Sequence, residues 1–78
     1  MNITVYSRSG CPYCDKIKSV FEQRNIEYTL RELDVDFVRD EFYEEFGVGA
    51  TFPQVILDEK KLGGCTDTVK YMVENQLI

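Results

Sequence analysis

The sequence predicts an α/β fold of order βαβαββα, a four-stranded mixed sheet with helices on both faces. Three observations carry the prediction. Segments rich in β-branched and aromatic residues, near Ile3 and near Tyr28, are each followed by apolar residues at helical spacing. Two short runs late in the chain are separated only by Asp58-Glu59, which leaves room for a tight turn. The 78 residues suffice for one small domain, 1–78.

Asn2 to Tyr6 reads as the first strand, because Ile3, Thr4, Val5 and Tyr6 are β-branched or aromatic. Ser7-Arg8-Ser9-Gly10 is a polar loop. A helix follows from about Pro12 to Arg24, with Cys14, Ile17, Val20 and Phe21 on one side and Lys16, Lys18, Glu22 and Gln23 on the other. Asn25 suits its end. Ile26 to Leu33 is the second strand, with Tyr28 and Leu30 alternating against charged and polar neighbours. Asp36 is expected to cap a second helix running to about Phe46, where Phe42 and Phe46 pair at i, i+4 and Gly47 takes the C′ position. Gln54 to Leu57 is nearly all apolar and so reads as a central strand. Lys60 to Leu62 is charged enough for a sheet edge. After Gly63-Gly64 a last helix begins near Cys65 or Thr66, with Val69, Met72, Val73 and Leu77 expected on its buried face. The first strand–helix–strand unit should be a right-handed parallel crossover, and the last two strands an antiparallel hairpin.

Composition removes several function classes. The net charge is −5 and there is no histidine. An acidic chain is a poor match for nucleic acid or an anionic membrane surface, so neither is expected as a partner. Without histidine, Ser-His and Cys-His catalysis are gone, and metal ligands are thinned to cysteine and carboxylate. No run approaches the ~18 apolar residues of a membrane span, and the start lacks a signal-peptide pattern. The expectation is a cytoplasmic monomer. Three cysteines leave one over from any disulfide framework, and in a reducing compartment a cysteine pair points to catalysis or metal.

That pair is Cys11-Pro12-Tyr13-Cys14, at the junction of strand and helix. Positions i and i+3 share a helix face, so the two sulfurs can meet. Pro12 has no N–H and a pre-set φ, which suits the first helical position. Cys11 then lies near the N-cap, where free N–H groups and the helix dipole stabilise a thiolate. Such settings bring a cysteine pKa from about 8.5 to between roughly 3.5 and 7.5. Cys14, one turn inside, lacks that contact. The pattern assigns attack to Cys11 and resolution to Cys14.

Together with these residues, Thr51-Phe52-Pro53 and Gly63-Gly64-Cys65-Thr66-Asp67 make the whole chain resemble a dithiol glutaredoxin of the thioredoxin superfamily. A lone Cys-x-x-Cys is a weak signal; three motifs at these separations are a strong one. The resemblance implies a thioredoxin fold, thiol–disulfide exchange, and glutathione as reducing cosubstrate with no permanently bound cofactor. It implies that Cys11 carries the mixed disulfide with glutathione. Pro53 would be a cis-proline, with the Phe52 backbone pairing to the tripeptide and Thr51 beside it. Gly63 and Gly64 would allow close approach. The N–H groups of Cys65 and Thr66, with Asp67, would hold the γ-glutamyl end. Arg8 stands where the family often has lysine and would meet the glycyl carboxylate; Tyr13 would form a wall. Disulfide-containing proteins are the implied clients, ribonucleotide reductase among them.

Each feature has a plainer reading. The cysteine pair could be structural or hold zinc, but a structural zinc site needs four ligands and only Cys65 remains. Pro53 could be an ordinary loop proline, since only about 5–6% of X-Pro bonds are cis. Arg8 could be a solvated loop charge, and Tyr13 an exposed aromatic beside a cleft. The Cys65 sulfur reads better as a small buried hydrophobe, its N–H as the functional part. Phe37, Phe42 and Phe46 read as core. Among functions, a similar redoxin fed by thioredoxin reductase would typically carry a Trp-Ser-Gly-Phe stretch where this sequence has Gly63-Gly64-Cys65, which argues against it. An iron–sulfur carrier bridged by glutathione is disfavoured by Pro12 and Cys14.

Overall fold

The computed structural model describes residues 1–78. Its elements are β1 (Ile3–Ser7), α1 (Pro12–Gln23), β2 (Thr29–Glu32), α2 (Arg39–Phe46), β3 (Gln54–Leu57), β4 (Lys60–Gly63) and α3 (Cys65–Glu74). The four strands form one sheet in the order β2-β1-β3-β4. β1 pairs parallel with β2, from Thr4 opposite Thr29 to Ser7 opposite Glu32. It pairs antiparallel with β3, from Ile3 opposite Leu57 to Tyr6 opposite Gln54. β3 and β4 are the antiparallel hairpin, turned at Asp58 with φ +54°. The predicted order and mixed sheet are both present.

Alternation along β1 sends Ile3, Val5 and Ser7 to one face and Thr4 and Tyr6 to the other. The first face packs under α1 and α3. Ile3, Val5, Val55 and Leu57 from the sheet meet Ile17 and Phe21 from α1, and Cys65 and Met72 from α3. The second face is aromatic. Tyr6 meets Phe37 and Phe46 edge-on, with centroids 5.2 and 4.9 Å apart. Phe42 of α2 sits 5.0 Å from Phe46 and stacks on Phe52 at 4.1 Å and 13°. Lys61 of β4 ties α2 down: its Nζ donates to the Glu45 carbonyl at 2.6 Å and lies 5.5 Å from the Phe46 centroid.

Several expectations need correction. The second helix does not start at Asp36. The Asp36 carboxylate accepts from the Glu32 N–H at 2.8 Å and so closes the loop after β2. Phe37 is drawn into the aromatic layer, and the helix starts after Val38, whose N–H is met by the Glu41 carboxylate at 3.0 Å. β2 begins at Thr29 rather than Ile26, because Ile26 N–H is still bound to the Phe21 carbonyl closing α1. Leu30 is 40% exposed rather than buried, since β2 is the sheet edge and nothing lies beyond it. Val73 is 56% exposed: the buried stripe of α3 is Cys65, Thr68 and Met72, and Val73 falls off its side. Leu77 is also exposed, because α3 ends at Glu74 with Asn75 as its cap. No helix is long and apolar enough to cross a membrane.

Candidate active site

The crossover delivers the chain from the end of β1 through Gly10, at φ +68°, into α1. Cys11 is the N-cap of α1 in extended conformation, and Pro12 occupies the first turn. The Cys14 backbone N–H donates to Cys11 Sγ at 3.2 Å, and the Asp15 N–H to the Cys11 carbonyl at 3.1 Å. A capping sulfur that accepts an N–H at a positive helix end is the setting that favours a thiolate. Cys11 and Cys14 form a disulfide, with Cα atoms 5.2 Å apart. Both are buried, Cys11 at 3% and Cys14 at 0% exposure, so burial separates them little. The hydrogen bond separates them: Cys11 Sγ receives it and Cys14 Sγ does not.

Beside this turn lies a cleft of about 170 Å³. Tyr13, largely exposed, forms one side. Thr51, Phe52 and Pro53 form the second, with a cis Phe52–Pro53 bond. Gly64, Cys65, Thr66 and Asp67 form the third, at the start of α3. Gly64 is the N-cap of α3 and supplies no side-chain acceptor, so the first-turn N–H groups face the cleft without a side-chain cap. A Cβ on Gly64 would come 3.6 Å from the Pro53 carbonyl, which is ordinary contact.

Of the residues picked from sequence, two stand apart from this cleft. Gly63 does not line it. Its φ of +96° and a prospective Cβ contact of 3.1 Å to the Asp67 carboxylate make it a backbone requirement. Arg8 is half-buried in its own loop, where Nη1 donates to the Ser9 carbonyl at 3.2 Å. Cys65 is the free cysteine and belongs to the core under α3. Burial pushes its thiol pKa up, and the Lys16 charge works in the opposite direction. Nothing in the sequence pattern points to Lys16 as its neighbour, nor to Phe42 as the stacked support of Phe52, because both contacts join distant elements. A larger groove of about 480 Å³ lies at the other end of β1, among Met1, Ile3, Ile26 and Tyr28, away from both cysteines.

Against known proteins, residues 3–62 match the model of the glutaredoxin family. The chain belongs to the glutaredoxin family. Glutaredoxins are glutathione-dependent thiol–disulfide oxidoreductases, and this chain is one. It is 34% identical to glutaredoxin-C6 of Oryza sativa subsp. japonica, over 97% of this chain and 70% of that protein. The structure superposes on glutaredoxin 1 from Francisella tularensis, complexed with cacodylate, with a TM-score of 0.79 and 31% identity, covering 97% and 95% of the two chains. A buckwheat glutaredoxin–glutathione complex matches with a TM-score of 0.79 and 26% identity, covering 96% of this chain and 71% of that one. This glutaredoxin therefore has the thioredoxin fold, with the cysteine pair at the start of α1.

Proposed function

We propose that this glutaredoxin reduces protein disulfides with Cys11 and Cys14 together, and glutathione mixed disulfides with Cys11 alone. The observation that carries the reading is the Cys14 N–H on Cys11 Sγ at the α1 N-cap. It marks Cys11 as the sulfur whose anion is favoured, hence the nucleophile and the leaving group. Glutathione is the reductant and occupies the cleft between Tyr13, the Phe52-Pro53 loop and the start of α3. Its extended backbone pairs with Phe52, and its γ-glutamyl end meets the Cys65 and Thr66 N–H groups with Asp67. The cleft's three walls and the glutathione complex of the buckwheat relative support this placement. Thr51 lies alongside, and Gly64 leaves the cleft open where a larger side chain would reach into it. Gly63 and Arg8 act from behind the cleft, Gly63 by its turn and Arg8 as a cation toward the glycyl carboxylate. Ribonucleotide reductase is one client of the proposed dithiol route. A cytoplasmic, monomeric protein is part of the same proposal, because a working dithiol needs a reducing compartment.

The division of labour is tested by two substitutions. Cys11→Ser should abolish activity on every substrate. Cys14→Ser should keep turnover of a glutathionylated peptide, coupled to glutathione reductase, and lose the dithiol reduction of a protein disulfide. Turnover in Cys11→Ser would reverse the roles. Reduction by thioredoxin reductase in place of glutathione would instead support the redoxin alternative.

A further inference from the structure

β1 presents three residues to the face covered by α1: Ile3, Val5 and Ser7. Ile3 and Val5 are core. Ser7 is equally buried, at 1% exposure, and puts a hydroxyl where the pattern has an apolar side chain. Its Oγ is the only buried side-chain oxygen or nitrogen of the chain without a hydrogen-bond partner. Leaving such a group unmade is costly, and native exceptions call for a functional or structural reason.

The position of this hydroxyl follows from the crossover. α1 runs back along β1, and its buried residues are Cys14, Ile17 and Phe21. Seven helical residues rise about 10 Å, and four strand residues about 13 Å, so the two rows keep step. Phe21 therefore lies over the Ile3 end and Cys14 over the Ser7 end. One step beyond Tyr6 opposite Gln54, the β1–β3 register sets Ser7 opposite Pro53, which is also buried. Ser7, Cys14 and Pro53 thus share one layer under the redox turn.

We propose that Ser7 is a positioning residue for the reaction, whose hydroxyl donates a hydrogen bond to Cys14 Sγ once the Cys11–Cys14 disulfide opens. In reduction, a glutathione thiolate attacks Cys11 Sγ. The new bond is the Cys11–glutathione disulfide, the Cys11–Cys14 bond breaks, and its electron pair leaves on Cys14. A second glutathione thiolate then attacks the glutathione sulfur, releasing glutathione disulfide and the Cys11 thiolate. In the first step the Cys14 thiolate forms in a buried place, where desolvation opposes charge. The Ser7 O–H meets it there. The hydroxyl is unpaired in the disulfide and paired in the dithiol, so it shifts the redox equilibrium toward the dithiol. The proposal deepens the dithiol reading above and rests on it.

The test compares wild type, Ser7→Ala and Ser7→Thr as full chains. Equilibration with glutathione and glutathione disulfide should show Ser7→Ala shifted toward its disulfide by about tenfold, equal to about 30 mV for this two-electron couple. The Cβ carbon shift of Cys14 in the reduced protein, followed against pH, should show a higher pKa in Ser7→Ala. Ser7→Thr, which keeps the hydroxyl, should return both toward wild type. The melting temperature of oxidised Ser7→Ala should hold or rise, because the alanine leaves no unpaired group. An unchanged redox equilibrium, or a Cys14 pKa that does not move, overturns the proposal. If the added methyl unfolds Ser7→Thr, the wild-type and alanine titrations decide alone. The redox equilibrium does not depend on which cysteine attacks, so failure of the Cys11 and Cys14 assignment would show separately, in the Cys11→Ser and Cys14→Ser turnover.

Discussion

The two faces of the sheet are built from different chemistry and hold different halves of the site. Under α1 and α3 the contacts are mainly aliphatic and closed: Val5, Ile17, Val55 and Met72 are all fully buried, as is Cys14 of α1. Under α2 the contacts are aromatic and partly open. Phe46 and Phe52 are only half-buried, and a cleft of about 210 Å³ remains between Tyr6, Arg31, Phe37, Phe42 and two glutamates. The closed face places the sulfurs, because α1 must dock along β1 to bury its stripe. The open face supports the loop opposite them, because Phe52 continues into Pro53 and stacks on Phe42. One layer secures the cysteine pair by burial, the other the cis-proline loop by ring contacts worth about 0.5–1.5 kcal/mol each beyond area.

Breaking the closed face should have the largest effect. Phe21→Ala removes a fully buried ring from α1 and should cost about 3–5 kcal/mol in urea unfolding. The folded fraction should keep its KM for glutathione. A loss well under 1 kcal/mol would place the main core elsewhere. On the open face, Phe42→Leu keeps an apolar group but removes the stack on Phe52. It should cost about 1 kcal/mol in stability and raise the KM for glutathione several-fold. If stability falls and KM holds, the aromatic layer packs without supporting the loop.

Gly64→Val touches neither core. Its Cβ finds ordinary contact at 3.6 Å from Pro53 carbonyl, so the melting temperature should change little, while the γ-methyls enter the cleft and raise the KM for glutathione. An unchanged KM would move the tripeptide away from α3. The smallest effect is at the rim of the closed face. Tyr28 packs on Phe21 at 5.7 Å and donates to the Glu22 carboxylate at 2.6 Å. Burial, with the bond and charge of Glu22, pushes the phenol up to about 12 from 10.0. The folded state thus holds this proton more tightly than the unfolded one. Its stabilising contribution is complete below pH 10 and is lost as pH rises toward about 12. Alkaline unfolding of Tyr28→Phe should show a shallower fall in stability across that window, and an equal slope would remove Tyr28 as a contributor.

By itself the sequence determined the element order, the cysteine pair at the start of the first helix and the two loops that line the cleft beside it. These are local matters. A period of two or 3.6, a Cys-Pro step at a strand–helix junction, and a glycine pair before a helix each act within a few residues. β3 from Gln54 to Leu57 was legible to the residue because its apolar run is short and its ends are a proline and a tight turn. Three kinds of fact needed the tertiary structure. Helix ends depended on who claims a side chain: Asp36 looked like a cap and serves Glu32 instead. Burial depended on what lies beyond an element: Leu30 and Val73 fit apolar patterns, yet one sits on an edge strand and the other off the docked stripe. The layer of Ser7, Cys14 and Pro53 joins three segments that are remote or separated by a loop in the chain. Only the packing of α1 and β3 against β1 leaves the Ser7 hydroxyl buried without a partner, because burial and register are properties of packed pairs of elements.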